Sequence, residues 1–312
     1  MCAAEAQLRP FRHEALFYAG PADFLQGVVP FVTGALHARE PVLVAVAPAN
    51  AELLRGALGD DGRGVHFLDM RALGANPARI IPAWRRFLAE HAADGRPARG
   101  IGEPVWPGRT AAELSECRSH EQLLNVAFDG GRRWWLLCPY DVEGLDRKSL
   151  AAARRSHPFL MQRGASRASD AYERSPESPL IGALPAPAGR PVEMAFTLAR
   201  LGALRARVAR WASTLPADRR GDLVLAVNEL ATNSISYGGG RGTLRMWRER
   251  GELLCEVRDR GHIRDPLVGR VEPAPEQPSG RGLWLVNQLC DLVQIRSSPR
   301  GSVVRVHMRA DR

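Results

Sequence analysis

Lysine is almost missing from this chain: Lys148 is the single one in 312 residues, and the formal net charge of +9 comes almost wholly from arginine. A Walker-type phosphate loop requires Gly-Lys-Ser/Thr, and Lys148 sits in "LDRKSLA" with no glycine-rich approach, so any nucleotide site must be of another kind. Cysteine is scarce as well. Cys2, Cys117, Cys138, Cys255 and Cys290 include no CxxC pair, which fits free thiols in a reduced compartment rather than a disulfide framework. Long apolar runs are absent too: no stretch approaches the roughly 18 to 20 residues a membrane-spanning helix needs, and the N-terminus lacks an apolar core of signal-peptide length. These absences predict a cytoplasmic protein with no membrane contact. The arginines are spread along the chain instead of gathered in one tract, which argues against direct nucleic-acid binding.

What is present is enough apolar material for two globular domains, 45% of the residues. In the first half, "PVLVAVA" (41–47), "VHFLDM" (65–70), "ARGIGEP" (98–104) and "WWLLCPY" (134–140) have the length of buried strands. Helical patterns lie between them at 50–59, 78–95 and 110–128. Short apolar strands separated by such helices predict crossover units and an α/β domain with a mainly parallel sheet. From Gln162 to Pro191 the text turns rich in Ser, Pro, Gly and Ala without a sustained period, the composition of a linker. We accordingly divide the chain into a first domain at 11–160, a linker at 161–191 and a second domain at 192–312.

The second domain opens with "MAFTLARLGALRARVARWAS" (194–213), where Leu201, Leu204, Val208 and Trp211 recur at helical spacing among arginines. The arginine face is either solvated or meets a partner. A second helix follows, then a hairpin of 243–249 and 253–259 turning at Arg250 and Gly251, a proline-rich loop, a helix at 282–291 and strands at 292–298 and 302–308. Helices on one face of a mostly antiparallel sheet predict an α+β two-layer sandwich.

Within the second helix, Leu223, Val227, Leu230 and Ser234 share one stripe, and Glu229 and Asn233 form an i, i+4 pair at its edge. Carboxylate and carboxamide oxygens together suit a hard cation such as Mg²⁺, although polar residues on a surface helix look the same. "EVRDRG" places Asp259 at a strand end with Gly261 two residues on, where a carboxylate can accept from an exocyclic amine and a glycine lets a flat ring approach. "SGRGLW" places Gly280, Arg281 and Gly282 at a helix N-terminus, a ready anion site with a charged donor beside it.

In this order the three elements resemble the N, G1 and G2 boxes of the ATP-binding fold shared by DNA gyrase and histidine kinases. "AVNELATNSISYG" is most similar to the anti-sigma-factor serine kinases. The resemblance, over about 195 to 310, implies ATP and Mg²⁺ as cofactors. Asn233 would ligate Mg²⁺, Glu229 would be the general base, Asp259 would bind the adenine amine, and Gly261, Gly280 and Gly282 would shape the pocket and phosphate loop. Ser302, after Gly301, keeps a hydroxyl where the family often has Gly-Thr. The resemblance further implies a sigma factor and an anti-anti-sigma factor as partners, and homodimerisation. The expected function is that of an anti-sigma factor that phosphorylates Ser or Thr of an anti-anti-sigma partner. The alternatives are a non-catalytic, ATP-gated sigma-binding protein and a sensor histidine kinase, whose nearest phosphoacceptor, His157, is followed directly by proline.

The first domain resembles the MEDS sensory module through "HEALFYAG", "FVTGALHAREPVLVAV", "NPARIIPAWRRFL", "GIGEPVWPGR" and "ECRSHEQLLN". Such modules look like RecA-type cores without a working phosphate loop, and here the turn after the first strong strand reads "APAN". The resemblance implies an unidentified small-molecule signal. Ligands of parallel sheets sit beyond the carboxyl ends of the strands, where Asp69, Glu103, Trp106, Tyr140 and Asp141 fall, with His13 and Tyr18 near the first strand. Caps and ordinary loop residues fit these positions equally. Cys117 and His120 have C-x-x-H spacing, but two ligands on one helix with no second pair point to packing instead of metal.

Overall fold

Alternating apolar runs and helical periods build a seven-stranded sheet in the first half of the chain. The computed structural model describes residues 10–162, 164–174, 178–274 and 280–309, and contacts divide the chain into Met1–Pro176 and Glu177–Arg312. Cys2 lies outside the described residues.

In the first unit the strands are β1 (Phe11–Tyr18), β2 (Val42–Val46), β3 (Val65–Asp69), β4 (Ala98–Gly102), β5 (Trp134–Asp141), β6 (Phe159–Gln162) and β7 (Ala165–Ala168). The helices are α1 (Gly20–His37), α2 (Pro48–Leu58), α3 (Met70–Leu73), α4 (Ile80–His91), α5 (Ala111–Ala127) and α6 (Arg147–Ser156). The sheet order is β3-β2-β4-β5-β1-β6-β7, parallel throughout except for the antiparallel β6–β7 pair. Phe24, Val28 and Val32 of α1 and Leu54 of α2 pack with Leu16, Val44 and Val46 in one core cluster. Trp84 of α4 and Trp134 of β5 meet elsewhere, their ring centroids 5.5 Å apart. Gly100 of β4 lies between these two rings, 3.0 Å from each at its would-be Cβ, which leaves no room for a side chain.

Two expectations change. The first strand of the sheet is β1, so its first strand-to-helix turn is Ala19–Gly20, and "APAN" belongs to the second; neither turn holds a lysine. The composition of β1 is too polar for a buried run, with Arg12, His13 and Glu14 in succession, and His13 and Glu14 are buried through partners that only tertiary contacts supply. The stretch from 161 to 191 is also partly structured. β6 and β7 pair antiparallel at the edge of the first sheet, and Leu180 joins the core of the second unit while its carbonyl accepts from Ser297 N.

The second unit has β8 (Val192–Thr197), α7 (Leu201–Trp211), α8 (Ala217–Tyr237), β9 (Arg241–Glu249), β10 (Glu252–Asp259), α9 (Arg281–Leu289), β11 (Leu292–Ser298) and β12 (Gly301–Arg309). Its five-stranded antiparallel sheet runs β11-β12-β10-β9-β8. The helix expected from 194 begins only at Leu201, because residues 192–197 pair with β9 and bury Phe196 against Gly242. Pairing and burial override the helical preference of Met194 and Ala195. Alternation along β10 sends Leu253, Cys255 and Val257 into the core with Leu204, Val208, Leu223, Val227 and Val286 of the helices. On the opposite face the buried Glu256 faces Arg245 and Arg305 in register, accepting at 3.1 Å from the first and at 2.9 and 2.6 Å from the second. The hairpin turns at Arg250 and Gly251, both at positive φ.

Candidate functional site

Three elements converge in the second unit because the core stripe of α8 leaves its neighbouring stripe facing outward. Glu229, Asn233, Asp259, Gly261, Gly280, Arg281, Gly282 and Ser302 all line one cavity of about 620 Å³. Seven of these stand in the three motifs read from spacing, and Ser302 is the one that only the family resemblance implies. At its inner end Asp259 is held from three sides: Ser302 Oγ donates to Oδ1 at 2.7 Å, Gly261 N to Oδ1 at 2.8 Å and Ser234 Oγ to Oδ2 at 2.6 Å. Two carboxylate oxygens offer about four acceptor sites, so one remains for an incoming N–H. Ser234 was assigned to the core stripe; its hydroxyl lets it serve the carboxylate as well.

Close approach explains the glycines. A Cβ on Gly282 would stand 3.1 Å from Glu229 Oε2 and 3.2 Å from Asn233 Nδ2, so the first turn of α9 lies directly against that pair. Gly280 has φ 95°, a conformation that suits glycine, and ends the loop ahead of α9. Gly238, the first of the glycine run after α8, was not singled out; a Cβ there would meet Asp259 Cγ at 2.6 Å. Asn287 was missed as well. It is buried and donates to the Gly269 carbonyl at 2.9 Å, tying the loop after β10 to α9. Residues 275–279 of the proline-rich segment lie outside the described residues.

In the first unit, β2 and β4 lie side by side while their onward connections run to opposite sides, to β3 and to β5, which makes a switch point beyond their carboxyl ends. Glu103 bridges it. Its carboxylate accepts from Ala47 N at the start of α2 (3.0 Å), from Asn50 Nδ2 (2.9 and 3.0 Å) and from Tyr18 Oη (3.0 Å). Burial raises the Glu103 carboxyl above its ordinary value against those bonds, and burial together with Glu103 raises the Tyr18 phenol. Asn50 was not anticipated.

Of the other candidates, Asp141 stands beside this pair, in register with Tyr18 and close enough to help raise both groups. Asp69 caps α3 by accepting from Arg71 N at 2.7 Å, and Asp141 accepts from Glu143 N at 3.0 Å. The Trp106 ring carries the Arg109 guanidinium 3.5 Å from its centroid. His13 and Tyr140 belong to a buried group with Glu121, Cys138 and His157. Burial, then His157, pushes the His13 imidazole down to about 4, while burial and Glu121 raise the Cys138 thiol. Burial alone would raise the Glu121 carboxyl, but the two histidines hold it below its ordinary value. Cys117 instead donates to the Pro104 carbonyl at 3.2 Å. His157 is fully buried with Nδ1 2.7 Å from the Ala153 carbonyl oxygen, a poor position for a phosphoacceptor. Among the described residues, no helix is long and apolar enough to cross a membrane.

Two family models match the chain: the MEDS (methanogen/methylotroph, DcmR sensory) domain over residues 12–158 and the histidine kinase-like ATPase domain over residues 194–308. Among solved structures it is similar to the RsbU and RsbW domains of Rv1364c from Mycobacterium tuberculosis, at 16% identity and a TM-score of 0.30, covering 39% of this chain and 32% of that one. It is also similar to the Acinetobacter baumannii histidine kinase AdeS, at 13% identity and a TM-score of 0.24, covering 39% of this chain and 70% of that one. No curated protein matches the chain significantly. The chain thus carries a MEDS sensory domain in its N-terminal half and a histidine kinase-like ATPase domain in its C-terminal half.

Proposed function

We propose that the C-terminal domain binds Mg-ATP and transfers the γ-phosphoryl group to a serine or threonine of an anti-anti-sigma protein, acting as an anti-sigma factor under control of the N-terminal sensory domain. The observation that carries the reading is the single cavity lined by all eight motif residues, with Glu229 and Asn233 against Gly282 at the start of α9. The residues fit the group, since a side chain on Gly282 would fill the space beside the Glu229 and Asn233 oxygens. Asp259 accepts from the adenine amine. Backbone N–H groups after Gly280, with Arg281, receive the phosphates. Asn233 would hold Mg²⁺, which supplies charge neutralisation on the phosphates when bound. Glu229 takes the proton of the attacking hydroxyl, and positioning does most of the remaining work. The assignment to sigma-factor control rests on the wording of "AVNELATNSISYG".

Calorimetric titration of the full chain with ATP, with and without Mg²⁺, tests the site. Magnesium-dependent binding that Asn233→Ala weakens supports it; equal affinity in the variant would sink it. Glu229→Gln should retain nucleotide and lose about 10²- to 10⁴-fold in phosphotransfer rate. A Glu229→Gln chain that binds a sigma factor as well as wild type, beside a wild type without phosphotransfer, would make the protein an ATP-gated binder.

A further inference from the structure

Four buried side chains from separate parts of the N-terminal domain point at one spot: His13 from β1, Glu121 from α5, Cys138 from β5 and His157 just after α6. One donor atom from each lies within 4.8 Å of the others. Glu121 Oε2 stands 3.1 Å from His13 Nε2 and 3.2 Å from His157 Nε2, and Cys138 Sγ stands 3.5 Å from His13 Nε2. A tetrahedral ion with nitrogen and oxygen ligands at about 2.0–2.1 Å has ligand-to-ligand edges of about 3.3 Å, slightly longer toward sulfur.

The outer partners fix the tautomers. Asn125 Nδ2 donates to the Ser156 carbonyl at 2.8 Å, which turns Asn125 Oδ1 toward His13 Nδ1 at 3.1 Å. His13 Nδ1 therefore carries a proton. His157 Nδ1 faces the Ala153 carbonyl oxygen and carries one too. With Nδ1 protonated on both rings, each Nε2 is directed at the Glu121 carboxylate, an arrangement that requires a cation between them, either a proton on Nε2 or a metal ion. A ring nitrogen bound to carbonyl or amide oxygen, with the other nitrogen aimed inward, is how metal-binding histidines are held. Both Glu121 oxygens and His157 Nε2 are buried without a hydrogen bond, although contacts of hydrogen-bond length surround them.

We propose that His13, Glu121, Cys138 and His157 form a closed four-ligand site for a divalent transition-metal ion of the zinc type. Imidazole and thiolate select such an ion over Mg²⁺ or Ca²⁺. Two neutral imidazoles, one carboxylate and one thiolate bring a divalent ion to zero net charge, the state that costs least away from water. As the sulfur–metal bond forms, the Cys138 thiol proton leaves to solvent. A cavity of about 10 Å³ lined in part by Glu121 and Tyr140 adjoins the group, room for about one water and no larger molecule. The ion would tie β1, α5, β5 and the end of α6 together.

Titration of the metal-free full chain with Co²⁺ alone should yield about one ion per chain, with tetrahedral d–d bands and one thiolate charge-transfer band. Cys138→Ser should abolish that band and Cys117→Ser should keep it. Asn125→Ala should weaken the affinity about 10- to 100-fold. If Cys138→Ser fails to fold, X-ray absorption of the zinc-loaded wild type reads the same point, as one sulfur among nitrogen and oxygen ligands. A folded chain that binds no Co²⁺, or a charge-transfer band that survives in Cys138→Ser, would overturn the site and leave a buried imidazolium–carboxylate pair.

Discussion

At the scale of single residues, Asp259 shows how one carboxylate is prepared by its neighbours. Its three donors come from α8, β12 and the turn just beyond β10, so its orientation is set before any ligand arrives. Asp259→Asn would aim an N–H₂ group at donors that already point inward, leaving at least one unsatisfied. We expect nucleotide affinity to fall by at least about 10-fold, about 1–3 kcal/mol, in a calorimetric titration, and unchanged affinity would refute the adenine-facing role. Glu256 governs a different response. Burial alone would raise its carboxyl, but hydrogen bonds from Arg305 and Arg258 hold it below the ordinary 4.5. Its ion pairs therefore stabilise the fold fully above that value and are lost as pH falls through the lower, folded value. Glu256→Gln should cost about 3–5 kcal/mol in urea unfolding at neutral pH, with the gap from wild type narrowing below about pH 4.5. A gap that stays constant into acid would contradict this.

At the scale of elements, the readings that held were those with a period or a terminus to mark them. The stripe in α8, the hairpin turn at Arg250 and Gly251 and the glycine at the start of α9 are local features, and each carries its geometry in a few consecutive residues. β8 carried a misleading one. "VEMAFT" alternates only weakly and runs straight into an amphipathic helix, so its edge position on the sheet was invisible until β9 was beside it. Phe196 anchors the strand, its ring lying where a Gly242 Cβ would come within 2.5 Å of Cζ. Phe196→Ala should lower the stability of the C-terminal domain by about 3–5 kcal/mol in denaturant unfolding. A loss below about 1 kcal/mol would mean that β8 contributes little beyond its backbone pairing.

At the scale of the whole molecule, each unit has its own core cluster, one around Val28, Val44 and Ile101 and one around Val208, Val227 and Val257. Domains with separate cores fold as units. Residues 178–312 alone should melt cooperatively and match the corresponding transition of the full chain by circular dichroism; a truncated chain without a transition would show that its core depends on the first domain. The sequence by itself determined the architecture class, the parallel and antiparallel halves, and seven of the residues that line the cavity of the second unit, because periodicity, helix termini and glycine spacing are encoded over short stretches. Tertiary structure alone decided the rest. The C-x-x-H spacing drew attention to Cys117 and His120, whereas Glu121, one residue on, turns into the sheet to meet His13, Cys138 and His157. Those four lie up to 144 positions apart, as 157 − 13 counts them, and only the β5-β1-β6 strand order brings their elements together. Asn50 and Glu103 meet for the same reason, since they follow β2 and β4, which are neighbours in the sheet although β3 and the helices α2, α3 and α4 lie between them in the chain.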